Sequence, residues 1–349
     1  MYKRQIQKQW DILPRWLQIV LGRLLLVVPQ MFGVLLVTFF LIRLLPGDPA
    51  VLLLGNMATP EAVAQLRERL GLNHSVWIQF ADYIRHIFQG DLGISIFTSN
   101  PVTTDLLDRA PATLELIGYS LVLMVVTAIV LAVASAVWRG SFIDIFVRIY
   151  GLAAGAIPDF WIGLLLIFFF YSLLGWAAPP FGRLDAILTP PHYVTGFYTI
   201  DSLLAGDMEA FRSSVGRLIL PVLTLAIVNA GALMKMTHSI FSGVWGSEFV
   251  QHGRACGLSE FQLVRMALRN SLPPIITIVG FITGFLLGSA VLVETIFSWG
   301  GLGQYAVQAV INSDYPALQG FILVAAVFVL LVYLVVDILY ELADPRIRA

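Results

Sequence analysis

Residues able to do chemistry are few in this chain, and their spacing excludes most reactions. Lys3, Lys8 and Lys235 are its only lysines. They are followed by Arg, Gln and Met, so the G-x-x-x-x-G-K-[ST] loop that cradles nucleotide phosphates does not occur. His74, His86, His192, His238 and His252 form no H-E-x-x-H pair, and there is no G-x-S-x-G elbow. The single cysteine, Cys256, cannot close an intrachain disulfide and reads as a small space-filling thiol. Neither a P-loop ATPase, a zinc site nor a hydrolase is written here. What remains are carboxylates inside apolar runs: Asp159 beside Pro158, and Glu294 and Asp337 near the ends of such runs. Charge in hydrocarbon is costly, so each is a functional candidate. Asp159 reads equally as an intramembrane functional carboxylate or as the cap of a helix restarted after the Gly155-Ala156-Ile157-Pro158 break; Glu294 and Asp337 read as interfacial. A proton-coupled carrier would bury several ionisable groups around a midplane site, and no inverted repeat is visible.

The elements that must carry these residues are helices in lipid. The chain is 58% hydrophobic and 12% charged, with a mean hydropathy of +0.84 and a net charge of -1, which argues against a soluble domain and against nucleic acid as a partner. Six segments, 24–43, 114–137, 148–175, 218–239, 275–298 and 317–340, are long enough to cross a hydrocarbon core of about 30 Å. Lys3, Arg4, Lys8, Arg15 and Arg23 precede the first run. No small-residue cleavage site follows before the Pro46-Gly47-Asp48-Pro49 turn, so the run reads as a retained span rather than a signal peptide. The connections 1–23, 137–148, 235–275 and 341–349 hold 13 of the 21 Lys and Arg in 85 residues; the other set holds 8 in 130. The positive-inside rule then puts both termini in the cytoplasm. The expected architecture is an all-α integral membrane protein with six transmembrane helices and a partly helical external domain after the first span.

That domain is the segment 46–110, between a cytoplasmic stretch 1–23 with a first helix 24–45 and a five-helix core 111–349. Thr59, Pro60 and Glu61 start one helix and Gly71 ends it; a second runs from Ser75 to Gln89, with Phe80, Ile84 and Ile87 or Phe88 on one stripe. In the fifth span Gly280, Gly284 and Gly288 recur every four residues, a small-residue face onto which another helix can close, in this chain or in a second subunit. The connection 242–274 is amphipathic. Glu248 to Cys256 suits a short helix, Gly257 breaks it, and Ser259 with Gln262 forms a capping box that starts a second helix ending at Pro273 and Pro274. Such a hairpin is either an interfacial amphipathic element or a lever for an external motor.

At this hairpin, EFVQHGRACGLSEFQLVRMALRNSLPPI resembles the cytoplasmic EAA loop of ATP-binding-cassette importer permeases, in the version found in dipeptide and oligopeptide permeases. RLLPGDP at 43–49, LRERLGL at 66–72, GDLGIS at 90–95, RAPATLEL at 109–116 and VETIFSWGGLGQYAVQAVINSDYP at 293–316 are similar to further blocks of the same family, in order along nearly the whole chain. The closest likeness is to the B-type subunit. The resemblance implies a type I importer fold in a bacterial inner membrane. It also implies a coupling helix seated on an ATPase, with Glu248, Gln251, Arg254, Gly257, Ser259 and Arg269 in the coupling loop and Pro158 and Asp159 at a possible gate. Implied partners are a paralogous C-type permease, two cytoplasmic ATP-binding subunits that hold ATP and Mg, and an external substrate-binding protein; no cofactor is implied in this chain. Where the wider superfamily reads Glu-Ala-Ala, this chain has Gln251, His252 and Gly253. The rival readings are a secondary transporter or channel uncoupled from ATP, and a cargo of nickel, opine or glutathione.

Overall fold

The computed structural model describes residues 15–44, 51, 54, 59–69 and 73–343. The Pro46–Pro49 turn, Gly71, residues 1–14 and residues 344–349 fall outside them. Among the described residues the chain is helical, with one isolated Ile94–Pro101 bridge in place of any strand. The helices are α1 (Arg15–Leu44), α2 (Pro60–Arg69), α3 (Val76–Phe88), α4 (Val102–Val137), α5 (Phe142–Ala153), α6 (Asp159–Leu166), α7 (Tyr198–Ala205), α8 (Met208–Trp245), α9 (Glu248–Ala255), α10 (Glu260–Ile296), α11 (Leu302–Ile311) and α12 (Tyr315–Ala343).

Four of these, α4, α8, α10 and α12, are long and apolar enough to cross a membrane. The pair 142–156 and 159–173, bent by 107°, makes a fifth if it counts as one span, and in α1 the stretch Leu25–Phe40 is apolar but shorter. The Gly155-Ala156-Ile157-Pro158 break expected within the third span lies at this bend. Pro158 lacks an amide hydrogen, and its ring pushes Ile157 out of the helical region to φ -109°, ψ 126°. Helical winding resumes at Asp159, with Pro158 rather than Asp159 in the N-cap position. A correction concerns Pro273 and Pro274, which do not end their helix: α10 runs through both to Ile296. The carbonyls they orphan belong to Arg269 and Asn270, both exposed, where water can satisfy them.

Helices gain little from burying apolar surface when the solvent is lipid, so contact must come from closeness. In α4 Ala112, Leu116, Ser120, Met124, Ala128, Ala132 and Ala136 repeat every fourth residue and are all buried. This mostly small ridge lies against α8, whose Leu218, Val222, Leu225, Ala226, Leu233 and Met234 share its core cluster. Within the most apolar window of α8, 61% is buried, against none for α12, so α8 is the central post. Gly231 of α8 is a glycine because an added Cβ would strike Ala154 beyond α5.

Connections gather at two ends. At one end the segment 91–101 is clipped to the α11–α12 corner: the buried Asp314 carboxylate accepts from Ser95 Oγ at 2.5 Å and from the Phe97 amide at 3.1 Å. The loop 176–197 is held at the same end by Arg183, which donates to Glu115 Oε2 at 2.5 Å and lies 3.8 Å from the Tyr198 ring centre. Thr199 donates to the other Glu115 oxygen from its amide and hydroxyl, at 2.9 and 2.6 Å. Burial pushes the Asp201 carboxyl up, but donors from Thr195, Val194 and Gly196 outweigh it and hold it below the usual range. Earlier along the chain, Ala62 donates to the Thr59 hydroxyl at the start of α2, and α3 follows with Phe80 buried; its partly covered stripe uses Ile87, while Phe88 is exposed. The opposite end holds the turns 138–141 and 246–259.

The glycine stripe of α10 divides. A Cβ at Gly280 would collide with Val336 of α12, one at Gly284 would lie 3.7 Å from the Tyr333 hydroxyl, and one at Gly288 would meet nothing within 4 Å. Gly280→Leu is therefore expected to lower stability by about 1–3 kcal/mol, read as a drop in the thermal unfolding midpoint in detergent. Gly288→Ala enters open space, and the gain in helix propensity should leave stability unchanged or raise it by up to about 1 kcal/mol.

Candidate functional site

The turn between α8 and α10 is built from local signals that agree. α9 closes with a left-handed Gly257 at φ +83°. The Leu258 amide donates to the Gly253 carbonyl at 3.1 Å and the Gly257 amide to that of Arg254 at 3.0 Å, the pair of bonds that defines a Schellman stop. Two residues later the Ser259 hydroxyl accepts from the Gln262 amide, and Gln262 Oε1 accepts in return from the Ser259 amide at 2.9 Å, a complete capping box. The connecting segment is consequently shorter than the expected 242–274: residues 242–245 finish α8, and 260–274 already belong to α10.

α9 is seated by one apolar side. Val250 is buried with Leu263 and Ala267 of α10, Phe241 of α8 and Ala136 of α4. Gly253 lets α9 approach so closely that a Cβ there would lie 2.9 Å from Leu263 Cδ2 and 3.2 Å from Leu258 Cδ1. The glycine that departs from the family's alanine is thus matched to a leucine ten residues on. Arg254 is engaged within the chain: its guanidinium meets both Glu260 oxygens at 3.0 and 3.2 Å and lies 5.3 Å from the Trp245 ring centre. Glu248, Gln251, Ser259 and Arg269 are exposed on the same end of the molecule. Beside them stand Phe249, Leu258 and Phe261, the last 77% exposed. These apolar side chains were not singled out by sequence; the signal was an aromatic residue placed directly after each helix-starting Ser-Glu pair.

Glu294 is a correction. It is fully buried rather than interfacial: Thr113 Oγ1 donates to its Oε1 at 2.5 Å, and the Gly303 and Gln304 amides donate to its Oε2 at 2.8 and 3.1 Å. The carboxylate at the end of α10 therefore caps the N-terminus of α11, where free amides and the helix dipole favour negative charge. Gly301 and Gly303 allow the approach, since a Cβ on either would crowd a Glu294 oxygen. The Thr113 hydroxyl also accepts from the Leu302 amide, and the Trp299 indole donates to the Ala112 carbonyl at 2.9 Å. Asp159 and Pro158 lie apart from both ends, at the break of the bent pair.

The family described as "Binding-protein-dependent transport system inner membrane component" matches residues 128–349, and its N-terminal counterpart matches residues 16–117. The chain belongs to this family. Among similar proteins, the "Probable D,D-dipeptide transport system permease protein DdpB" of Escherichia coli (strain K12) is 43% identical over 90% of this chain and 93% of its own. The "Di/tripeptide transport system permease protein DppB" of Pseudomonas aeruginosa (strain UCBPP-PA14) is 42% identical over 95% and 99%. The "Dipeptide transport system permease protein DppB" of Alkalihalophilus pseudofirmus is 37% identical over 93% and 98%. In this member of the family, the helix–turn–helix and the Glu294 cap occupy opposite ends of one helix, α10. Removing the cap with Ser259→Ala should cost about 1 kcal/mol locally, seen as roughly fivefold faster hydrogen exchange at the Glu260–Gln262 amides by mass spectrometry. Exchange further along α10 should stay unchanged.

Proposed function

We propose that the chain is one of two membrane-spanning subunits of an ATP-driven importer of di- or oligopeptides, coupled to separate ATPase subunits through α9. The observation that carries this reading is the seated turn itself. α9 is fixed to three long helices on its apolar side while Phe249, Leu258 and Phe261 stay uncovered on the same end. A rigid element with an unfilled apolar rim suits the groove of a partner protein, and a self-sufficient carrier or channel has no use for it. The names of the relatives support peptides as cargo.

In this proposal α1 supplies a sixth span and both termini are cytoplasmic in a bacterial inner membrane, in keeping with the Lys and Arg asymmetry. The partners are a paralogous permease, two ATP- and Mg-binding subunits and an external binding protein. α8 and α10 then act as rods. With 37 residues at 1.5 Å each, α10 is about 55 Å long and joins the α9 turn to Glu294 and α11, with two backbone hydrogen bonds missing at Pro273 and Pro274 along the way. ATP binding and cargo delivery each do work only through their different affinities for the two positions of these rods.

Co-purification tests it. The intact chain should bring down a second permease and two nucleotide-binding subunits with ATPase activity. Gly257→Trp, which forces a side chain into a left-handed position on the docking turn, should lose that activity. An intact chain that purifies alone, without associated ATPase, overturns the proposal.

A further inference from the structure

The winding between α5 and α6 tightens to a 3-10 turn at Ala154–Ala156 and is lost at Ile157 and Pro158. Ala154 packs against Gly231 and Gly163 against Thr224, and these contacts bracket the midpoint of the 218–239 apolar stretch of α8. The break between them thus sits near the centre of the bilayer. Gly155, Ala156 and Pro158 are exposed there. Non-helical backbone at that depth persists only when covered by protein or lining a water-filled cavity.

Asp159 opens α6 at this point, half-buried, with the Ser289 side chain of α10 as its polar neighbour. Among the described residues no lysine or arginine pairs with it. Space stands open alongside: added Cβ atoms at Gly155 and at Gly288, one residue before Ser289, would meet nothing within 4 Å. A carboxylate at mid-depth beside open volume calls for a cation that arrives and leaves. A resident metal does not fit, because no group of three His, Cys, Asp or Glu side chains is assembled among the described residues.

We infer that Asp159 lines the translocation path and pairs transiently with the α-ammonium group of the passing peptide, with the open volume beside Gly155 and Gly288 accommodating the peptide's first residue. The inference rests on the peptide-import reading. An α-ammonium is the one cation that every peptide with a free amino terminus carries, so a single carboxylate recognises the class without reading side chains. The pairing must be weak for cargo to move on.

The test uses the complete complex with its binding protein, reconstituted in proteoliposomes and supplied with a defined mixture of free dipeptides. Asp159→Asn should lower the uptake rate about fivefold, the equivalent of a weak ion pair of about 1 kcal/mol, and Asp159→Glu should restore most of it. Independently, Asp159→Cys in a Cys256→Ser background should react with a membrane-impermeant methanethiosulfonate, more slowly when dipeptides are present. Uptake that is intact in Asp159→Asn, or a cysteine that impermeant reagent never reaches, overturns the inference alone. If the unmodified complex imports none of the dipeptides, the peptide reading fails with it.

Discussion

A buried carboxylate at the far end of α10 makes the rest of the structure work as one body. Glu294 gathers Thr113 of α4 and the first amides of α11 around a fully desolvated charge. Three donors make that burial tolerable; losing one would leave an acceptor with no water to turn to. Because the partners come from separate helices, the charge fixes the end of α10 relative to α4 and α11 together. The other end of α10 is fixed just as firmly by the capping box and by Leu263 under Gly253. A helix held at both ends carries displacement from one to the other, less the give at Pro273 and Pro274, where two backbone hydrogen bonds are missing.

Between those ends the bundle depends on small residues more than on large ones. The four-residue ridge of α4 and the Gly231 contact of α8 bring backbones close, which in lipid is the main source of helix attraction. Where a large polar group enters, it is tied at once: the Asp144 carboxylate near the start of α5 accepts from Ser135 of α4 at 2.9 Å and from the Gly140 amide at 2.9 Å. The start of α5 is therefore tied to α4.

What was legible in the sequence was what local chemistry decides. The helix from Ser75 to Gln89, the Gly257 stop, the Ser259 capping box and the break at Pro158 each follow from a few adjacent residues with strong preferences. Most of what was missed involves partners far away along the chain. Glu294 looks interfacial until Thr113, 181 residues earlier, is brought beside it. Glu115, Arg183 and Arg217 carried no local signal, because an arginine among polar neighbours in sequence looks the same whether it is solvated or, like Arg217 in the first third of α8, donates to the Pro179 and Phe181 carbonyls. The Pro273-Pro274 pair misled in the opposite sense: a local rule for ending helices was overridden at a position where water can take over the lost bonds.

The bent pair follows from the same logic of fixed and free backbone. α5 is pinned to α8 at Ala154 and by the Tyr150 hydroxyl, which donates to the Ile227 carbonyl; α6 is pinned by Gly163 to Thr224 and Phe297. Between these pins an added Cβ at Gly155 would meet nothing within 4 Å, and Ile157 and Pro158 lie outside the helices. Any tilt of α8 relative to α10 must change the angle between α5 and α6 there, because α6 touches both rods while α5 packs on α8. The strain of switching would thus collect where the winding tightens to a 3-10 turn at Ala154–Ala156 and leaves the helical path at Ile157. The break at Pro158 is in this sense a natural hinge between two pinned helices, and Asp159, with Ser289 as its polar neighbour, opens the second of them.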